Sequence, residues 1–315
     1  MMIIGGTAAA ASQCLPTQWT SLDQINFKQS LINHHGIPIS LYSSAPRSFD
    51  AANVIYIHNL GGAVENHRWL FKDLYEAKIR VLAFDLPGHG KSKELNLHHW
   101  NFNQVAQVIK TIQKLEGDFK LNPKIPTILV GWGHGGTLAL RALQSGLIKA
   151  DGVVGLAPGL SWQEMKGERS PASLRPEMLS SCLAGSSGGL NQKTTFHADF
   201  KQFNNLEQSV FHKSIKEEGG ELEKLAMPTS VPSLVILSKP EDEFVMTEKT
   251  VDWVYQKNAQ NKKMRAIECR EASHALEFEP GITGQDVRSS VVKFTLSVAR
   301  GRAFEHDLRL CQLIK

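Results

Sequence analysis

"TILVGWGHGGTLAL", residues 127–140, decides how the rest of the chain is read. Thr127–Trp132 is a short apolar run of the kind that lies inside a sheet. Gly131, Gly133, Gly135 and Gly136 crowd the positions that follow, and an apolar helical pattern starts directly behind them. Glycine at this density between a strand and a helix marks a turn in which backbones approach closely and a positive φ is needed. Gly131, Gly133 and Gly136 also satisfy G-x-G-x-x-G, the spacing of a dinucleotide-binding turn. That reading requires the first strand–helix unit of the fold and an acidic residue at the end of the next strand, about 20 residues on. Here the next apolar run ends in Leu156-Ala157-Pro158-Gly159 and Asp151 lies before it, so no nucleotide cofactor is expected. A phosphate loop ending in Gly90-Lys91-Ser92 is excluded more simply, because its first glycine would have to stand at Asp85.

Outward from this turn the sequence alternates between sheet-like and helix-like patterns, which predicts a largely parallel sheet with helices on both faces. Residues 25–32 and 37–44 flank Asn33-His34-His35-Gly36 and read as an N-terminal hairpin. Residues 53–60 and 79–86 read as strands, with a helix between them from about Asn66. Phe102, Val105, Ala106, Ile109 and Ile112 fall at helical spacing, so 99–115 is expected as an amphipathic helix. After the strand at 152–158 the alternation breaks. Residues 160–228 are polar, carry "GSSGG" and "KEEGGELEK", and read as an inserted, mostly helical cap. It resumes with a strand at 232–238, a helix around Val251, Val254 and Tyr255, a strand at 264–270, and a last helix placing Val287, Val291, Phe294 and Val298 on one face. The expected organisation is an irregular segment 1–24, a core formed by 25–159 and 229–300, the cap 160–228, and a charged tail 301–315 whose docking the pattern does not place.

The bulk composition narrows the partners. Over 315 residues, 42% hydrophobic and 21% charged residues are ordinary for a globular chain, and the net charge of +4 is spread without a basic run or face. No nucleic-acid partner is therefore expected. No segment approaches the ~18 apolar residues of a membrane span. Cys14, Cys182, Cys269 and Cys311 show no C-x-x-C spacing and are expected as reduced thiols. The opening stretch has no Lys or Arg before its apolar part, so a cytoplasmic location is expected over secretion. The histidine pairs His34/His35 and His98/His99 lack a third ligand and point in different directions, so no metal is expected.

Four further motifs occur in a fixed order: "IHNLGG" (57–62) after a strand, "FDLPGHGKS" (84–92), "VGWGHGG" (130–136), and then "SKPEDEFV" (238–245) with "ASHALEFE" (272–279). In this order they resemble the α/β-hydrolase fold superfamily, over about residues 25–300. The resemblance implies a mostly parallel central sheet with a lid inserted after the nucleophile. It also implies a nucleophile elbow at Gly133, an acid at Asp242 and a histidine base at His274. The backbone N–H of His134 would face an oxyanion, and a second donor would come from Asn59 or Leu60 in the turn that begins at His58. His58 is expected to hold that turn by a hydrogen bond rather than to act on substrate. Alternatives for the others are a polar loop carboxylate at Asp242, a surface histidine at His274 and a solvent-facing elbow residue at His134.

One departure governs the chemistry. Gly133 has no side chain, so no acyl-enzyme forms there, and what remains of such a site is the oxyanion hole and binding. Ser273 and Cys182 are not on a strained turn facing the base. Three readings follow. The first is a protein without the serine nucleophile that binds a small apolar or acyl ligand, or a protein partner, under the cap. The second is an ester hydrolase in which His274 and Asp242 activate water. The third is an ordinary esterase or lipase in which Gly133 is a replacement. None requires a cofactor, and the sequence is silent on oligomeric state.

Overall fold

The computed structural model describes residues 22–314 except 46, 61, 93–100, 162–209, 243–244, 280 and 306. The expected hairpin is present. β1 (Phe27–His34) pairs antiparallel with β2 (Ile37–Ser44), and the two turn residues, His35 and Gly36, both have positive φ, as a tight two-residue hairpin requires. β3 (Ala52–Ile57), β4 (Ile79–Phe84), β5 (Thr127–Trp132), β6 (Gly152–Leu156), β7 (Ser233–Leu237) and β8 (Met264–Glu268) follow as parallel strands. A short β9 (Gln312–Ile314) closes the far edge antiparallel to β8. The order across the sheet is β1-β2-β4-β3-β5-β6-β7-β8-β9. The chain therefore has the α/β-hydrolase architecture, a nine-stranded, mostly parallel sheet flanked by helices.

Strand side chains alternate between two cores, which is why the central runs are apolar without a polar beat. Val54, Tyr56, Val81 and Val130 face α1 (Arg68–Glu76) on one side, together with the late helix that ends the core. Ile55, Ile57, Leu82 and Leu129 face α2 (Phe102–Ile112) and α3 (His134–Gln144) on the other. Helix α2 starts three residues later than its apolar spacing suggested, because Asn101 and Gln104 form a reciprocal capping box that fixes its first turn.

Of the expected cap, residues 162–209 lie outside the described residues. The end of that segment is α4 (Val210–Lys224), which lies on α3: Gln144 donates to the carbonyls of Leu222 and Leu225, and Leu222 is fully buried in the core. Helices α5 (Thr247–Asn258) and α6 (Gly281–Ala299) complete the described helices. No helix among the described residues is long and apolar enough to cross a membrane.

The tail adds the ninth strand. Its register sets Glu268 opposite Gln312, which brings the neighbouring Cys269 and Cys311 together as a disulfide. Reduced thiols, expected from the absence of a cysteine motif, are thus corrected for this pair; Cys14 and Cys182 lie outside the described residues. The signal was missed because the two cysteines meet only through the pairing of a tail that carries no strand pattern. Asp286 on α6 fastens the same tail by accepting the backbone N–H groups of Arg309 (3.0 Å), Leu310 (2.8 Å) and Cys311 (3.2 Å). With the cysteines 42 positions apart in sequence, cross-linking contributes about 4 kcal/mol on a chain-entropy model.

Candidate active site

The turn between β5 and α3 is a strained elbow. Gly133 is its apex, with φ 55° and ψ −121°, and its N–H donates to the Leu156 carbonyl at 2.7 Å. The flanking glycines are there for the backbone. A Cβ on Gly131 would strike the Gly135 carbonyl, and one on Gly135 would strike the carbonyls of Ile57 and His58 at the end of β3. A Cβ on Gly133 meets something else, the side-chain amide of Asn59, 2.7 Å from its Nδ2 and closer to its Cγ and Oδ1.

Asn59 belongs to the turn after β3, and its carboxamide is held at both ends. Its Oδ1 accepts the His134 N–H, the first backbone donor beyond the elbow, at 2.8 Å. Because that donor fixes which end of the amide is oxygen, Nδ2 faces His274 Nε2, at a long 3.4 Å. His274 Nδ1 in turn lies 3.0 Å from Asp242 Oδ2. Asp242 is braced by Ser238, whose hydroxyl donates to the same carboxylate oxygen, and by the Val245 N–H, 3.1 Å from Oδ1. An acceptor at Nε2 and a donor at Nδ1 describe one neutral tautomer of His274. The indole N–H of Trp132, the last residue of β5, donates to the His274 carbonyl at 2.8 Å and ties the loop of His274 to the elbow.

Asp242, His274 and His134 are all buried, so His274 is not a surface histidine and His134 does not face solvent. His58 holds its turn: Nε2 accepts the Leu86 N–H at 2.8 Å and Nδ1–H donates to the Asn59 carbonyl at 2.6 Å. Burial pushes its imidazole well below the ordinary range, with the nearby His89 adding to the effect. Burial likewise brings His89 down to about 4, and His134 to about 3 with a smaller contribution from His89. Leu60 is half-buried against the α2–α3 core.

The motif at 84–92 braces the floor. Asp85 accepts the Val64 N–H (2.8 Å), the Lys91 N–H (2.9 Å) and the Tyr42 hydroxyl (3.0 Å), and burial still raises its carboxyl to about 6. Sequence reasoning missed Ser238, one serine among many, although its place at the end of a strand four residues before Asp242 was visible. It also missed a buried cluster beneath the site. The Tyr56 hydroxyl lies 2.9 Å from His67 Nδ1 and 3.3 Å from Glu277 Oε1, and His67 and Glu277 are in contact.

A histidine hydrogen-bonded to a carboxylate, next to a helix N-terminus at a glycine-lined elbow, is the arrangement seen in hydrolases of this fold. The sequence model of the serine aminopeptidase S33 hydrolases matches residues 50–281. The chain belongs to this family. Among solved structures, the chain is similar to the monoacylglycerol lipase of Paleococcus ferrophilus, at 20% identity, 82% of this chain, 99% of that one and a TM-score of 0.61. It is also similar to a soluble variant of the Saccharomyces cerevisiae monoglyceride lipase bound to a substrate analog (14%, 86% and 95%, 0.64). A third similarity is to Est1E of Butyrivibrio proteoclasticus, a structure with ferulic acid bound (19%, 86% and 99%, 0.55). At these identities the likeness is one of fold. No curated protein matches the chain. In this member of the S33 family, the apex of the elbow is Gly133.

Proposed function

We propose that this lipase- and esterase-like member of the family works without a serine nucleophile. It binds a small apolar or acyl ligand beneath the segment 160–228, with little or no serine-hydrolase turnover. The observation that carries the reading is Gly133 at the elbow apex, where the Asn59 amide stands in the space of a side chain. Asp242 would hold the tautomer of His274, and the His134 N–H would be the oxyanion donor, so the surroundings of a nucleophile are kept while the attacking atom is absent. The solved structures of similar fold include enzymes described as lipases, which supports an acyl ligand class. A buried disulfide is characteristic of oxidising compartments and weighs against the cytoplasmic location expected from the opening stretch.

Two measurements test this together. A fluorophosphonate probe should leave the protein unlabelled, and a fluorescent fatty acid should bind saturably and be displaced by monoacylglycerol. Labelling at any serine would overturn the absence of a nucleophile; no saturable binding would overturn the ligand class.

The His274–Asp242 bond of 3.0 Å favours one further reading, in which the pair deprotonates a water for ester hydrolysis. It requires turnover of p-nitrophenyl esters that disappears in His274→Ala. Turnover that survives this substitution, or none in the parent protein, would exclude it.

A further inference from the structure

Asn59 and Gly133 occupy one volume. A β-carbon at 133 and the carboxamide at 59 cannot coexist where the latter now sits, and the two hydrogen bonds of that carboxamide are to groups an ester substrate would use. Its carbonyl oxygen takes the His134 N–H at 2.8 Å, where a developing oxyanion would be bound. Its NH₂ faces His274 Nε2 at 3.4 Å, where a nucleophile's proton would be received. Both groups are buried, and the amide matches their polarity end for end.

Accepting that Gly133 stands at the nucleophile position, we propose that Asn59 is the resident occupant of this site. Its side chain closes the oxyanion donor and the base against acyl groups, and it is sterically coupled to Gly133, so that a side chain cannot return at 133 while the amide keeps its place. The coupling separates two histories that the elbow by itself leaves equal. If Gly133 were a lone replacement in a working esterase, restoring serine would restore the enzyme. With Asn59 in place, the hydroxymethyl group must first expel an amide bonded at both ends. The displaced group is the far end of a two-torsion side chain, so the obstacle is removable by one substitution at 59. An obstacle made of backbone, as at Gly131 or Gly135, would not be.

Four proteins test the coupling: the parent, Asn59→Ala, Gly133→Ser and the double variant. Each is assayed by urea unfolding, by fluorophosphonate labelling and by hydrolysis of p-nitrophenyl butyrate. In the unfolding cycle, Gly133→Ser should lower the midpoint in the parent and by much less in the Asn59→Ala background; additive effects would overturn the coupling. In the activity arm, the double variant should label and should hydrolyse the ester about 100-fold or more faster than Gly133→Ser alone, the scale on which one oxyanion donor acts. Gly133→Ser as active as the double, or a folded double that neither labels nor turns over, would overturn the role of Asn59 as the occupant. Labelling of the parent protein would overturn the absence of a nucleophile instead, so the two failures read differently.

Discussion

Four glycines within six residues look interchangeable on the page, and their neighbours show that they are not. The space behind Gly135 is filled by the carbonyls of Ile57 and His58. Ile57 is fixed on both sides, paired with Phe84 of β4 and Gly131 of β5, so it cannot give way. Gly135→Ala should therefore destabilise the fold by about 3 kcal/mol or more, as overpacking against a rigid neighbour does. The control is Gly117→Ala. That glycine has a positive φ, 66°, which Gly135 does not, but nothing lies within 4 Å of its missing Cβ. Only backbone strain of about 1–2 kcal/mol is expected there. Urea unfolding of the two variants measures the difference directly, and equal losses would mean that the close approach of α3 to β3 is not what demands glycine at 135.

At the scale of elements, the site depends on two short 3-10 turns meeting beneath it, Val64–His67 and Leu276–Phe278. Each follows a loop that carries a site residue, Asn59 in one case and His274 in the other. They are joined by the contact of His67 with Glu277 and by the Tyr56 hydroxyl, all buried. Glu277→Ala removes the carboxylate that the Tyr56 hydroxyl and His67 both face in a buried cluster and should cost about 1–3 kcal/mol. Glu277→Gln, which keeps an oxygen acceptor, should lose clearly less in the same calorimetric melt; equal losses would mean that packing volume and not the polar cluster joins the turns. Little of this was legible beforehand, and the reason is physical. Strands β3 to β8 and helices α2, α5 and α6 announce themselves by local periodicity, and Asp242 and His274 by their places just after strand ends. Residue 59 was readable as part of a turn, but the direction of its amide was not. That direction is set by the His134 N–H, 75 residues away in sequence, and by His274, 215 residues away. The tail strand failed for the same reason: three residues and a distant cysteine carry no period.

At the scale of the whole molecule, pH acts through buried histidines. His58, His89 and His134 are buried together behind the elbow, with the rings of His58 and His89 5.2 Å apart, and burial depresses all three. A histidine whose folded pKa lies below its unfolded value near 6.5 takes up its proton more readily when the chain is unfolded. Its contribution to stability is complete above about pH 6.5 and is lost as pH falls towards the folded value. For His89, lowered to about 4, the loss by that pH is at most about 3 kcal/mol. Asp85 works in the other direction. Raised to about 6 against an ordinary 3.8, it binds its proton more readily in the folded state, so acidification from about pH 6 returns stability. Burial raises Asp73 and Glu218 as well and lowers His34, so four histidines that lose stability on acidification stand against three carboxyls that return it, and between pH 6.5 and 6 the histidines act with little offset. The urea midpoint should therefore fall steadily from pH 7 to pH 5, beginning at about 6.5. A flat or rising midpoint over that range would mean that the three imidazoles are not held neutral. In that case the packing of the elbow against the turn after β3, on which the position of Asn59 depends, would have to be looser than the geometry describes.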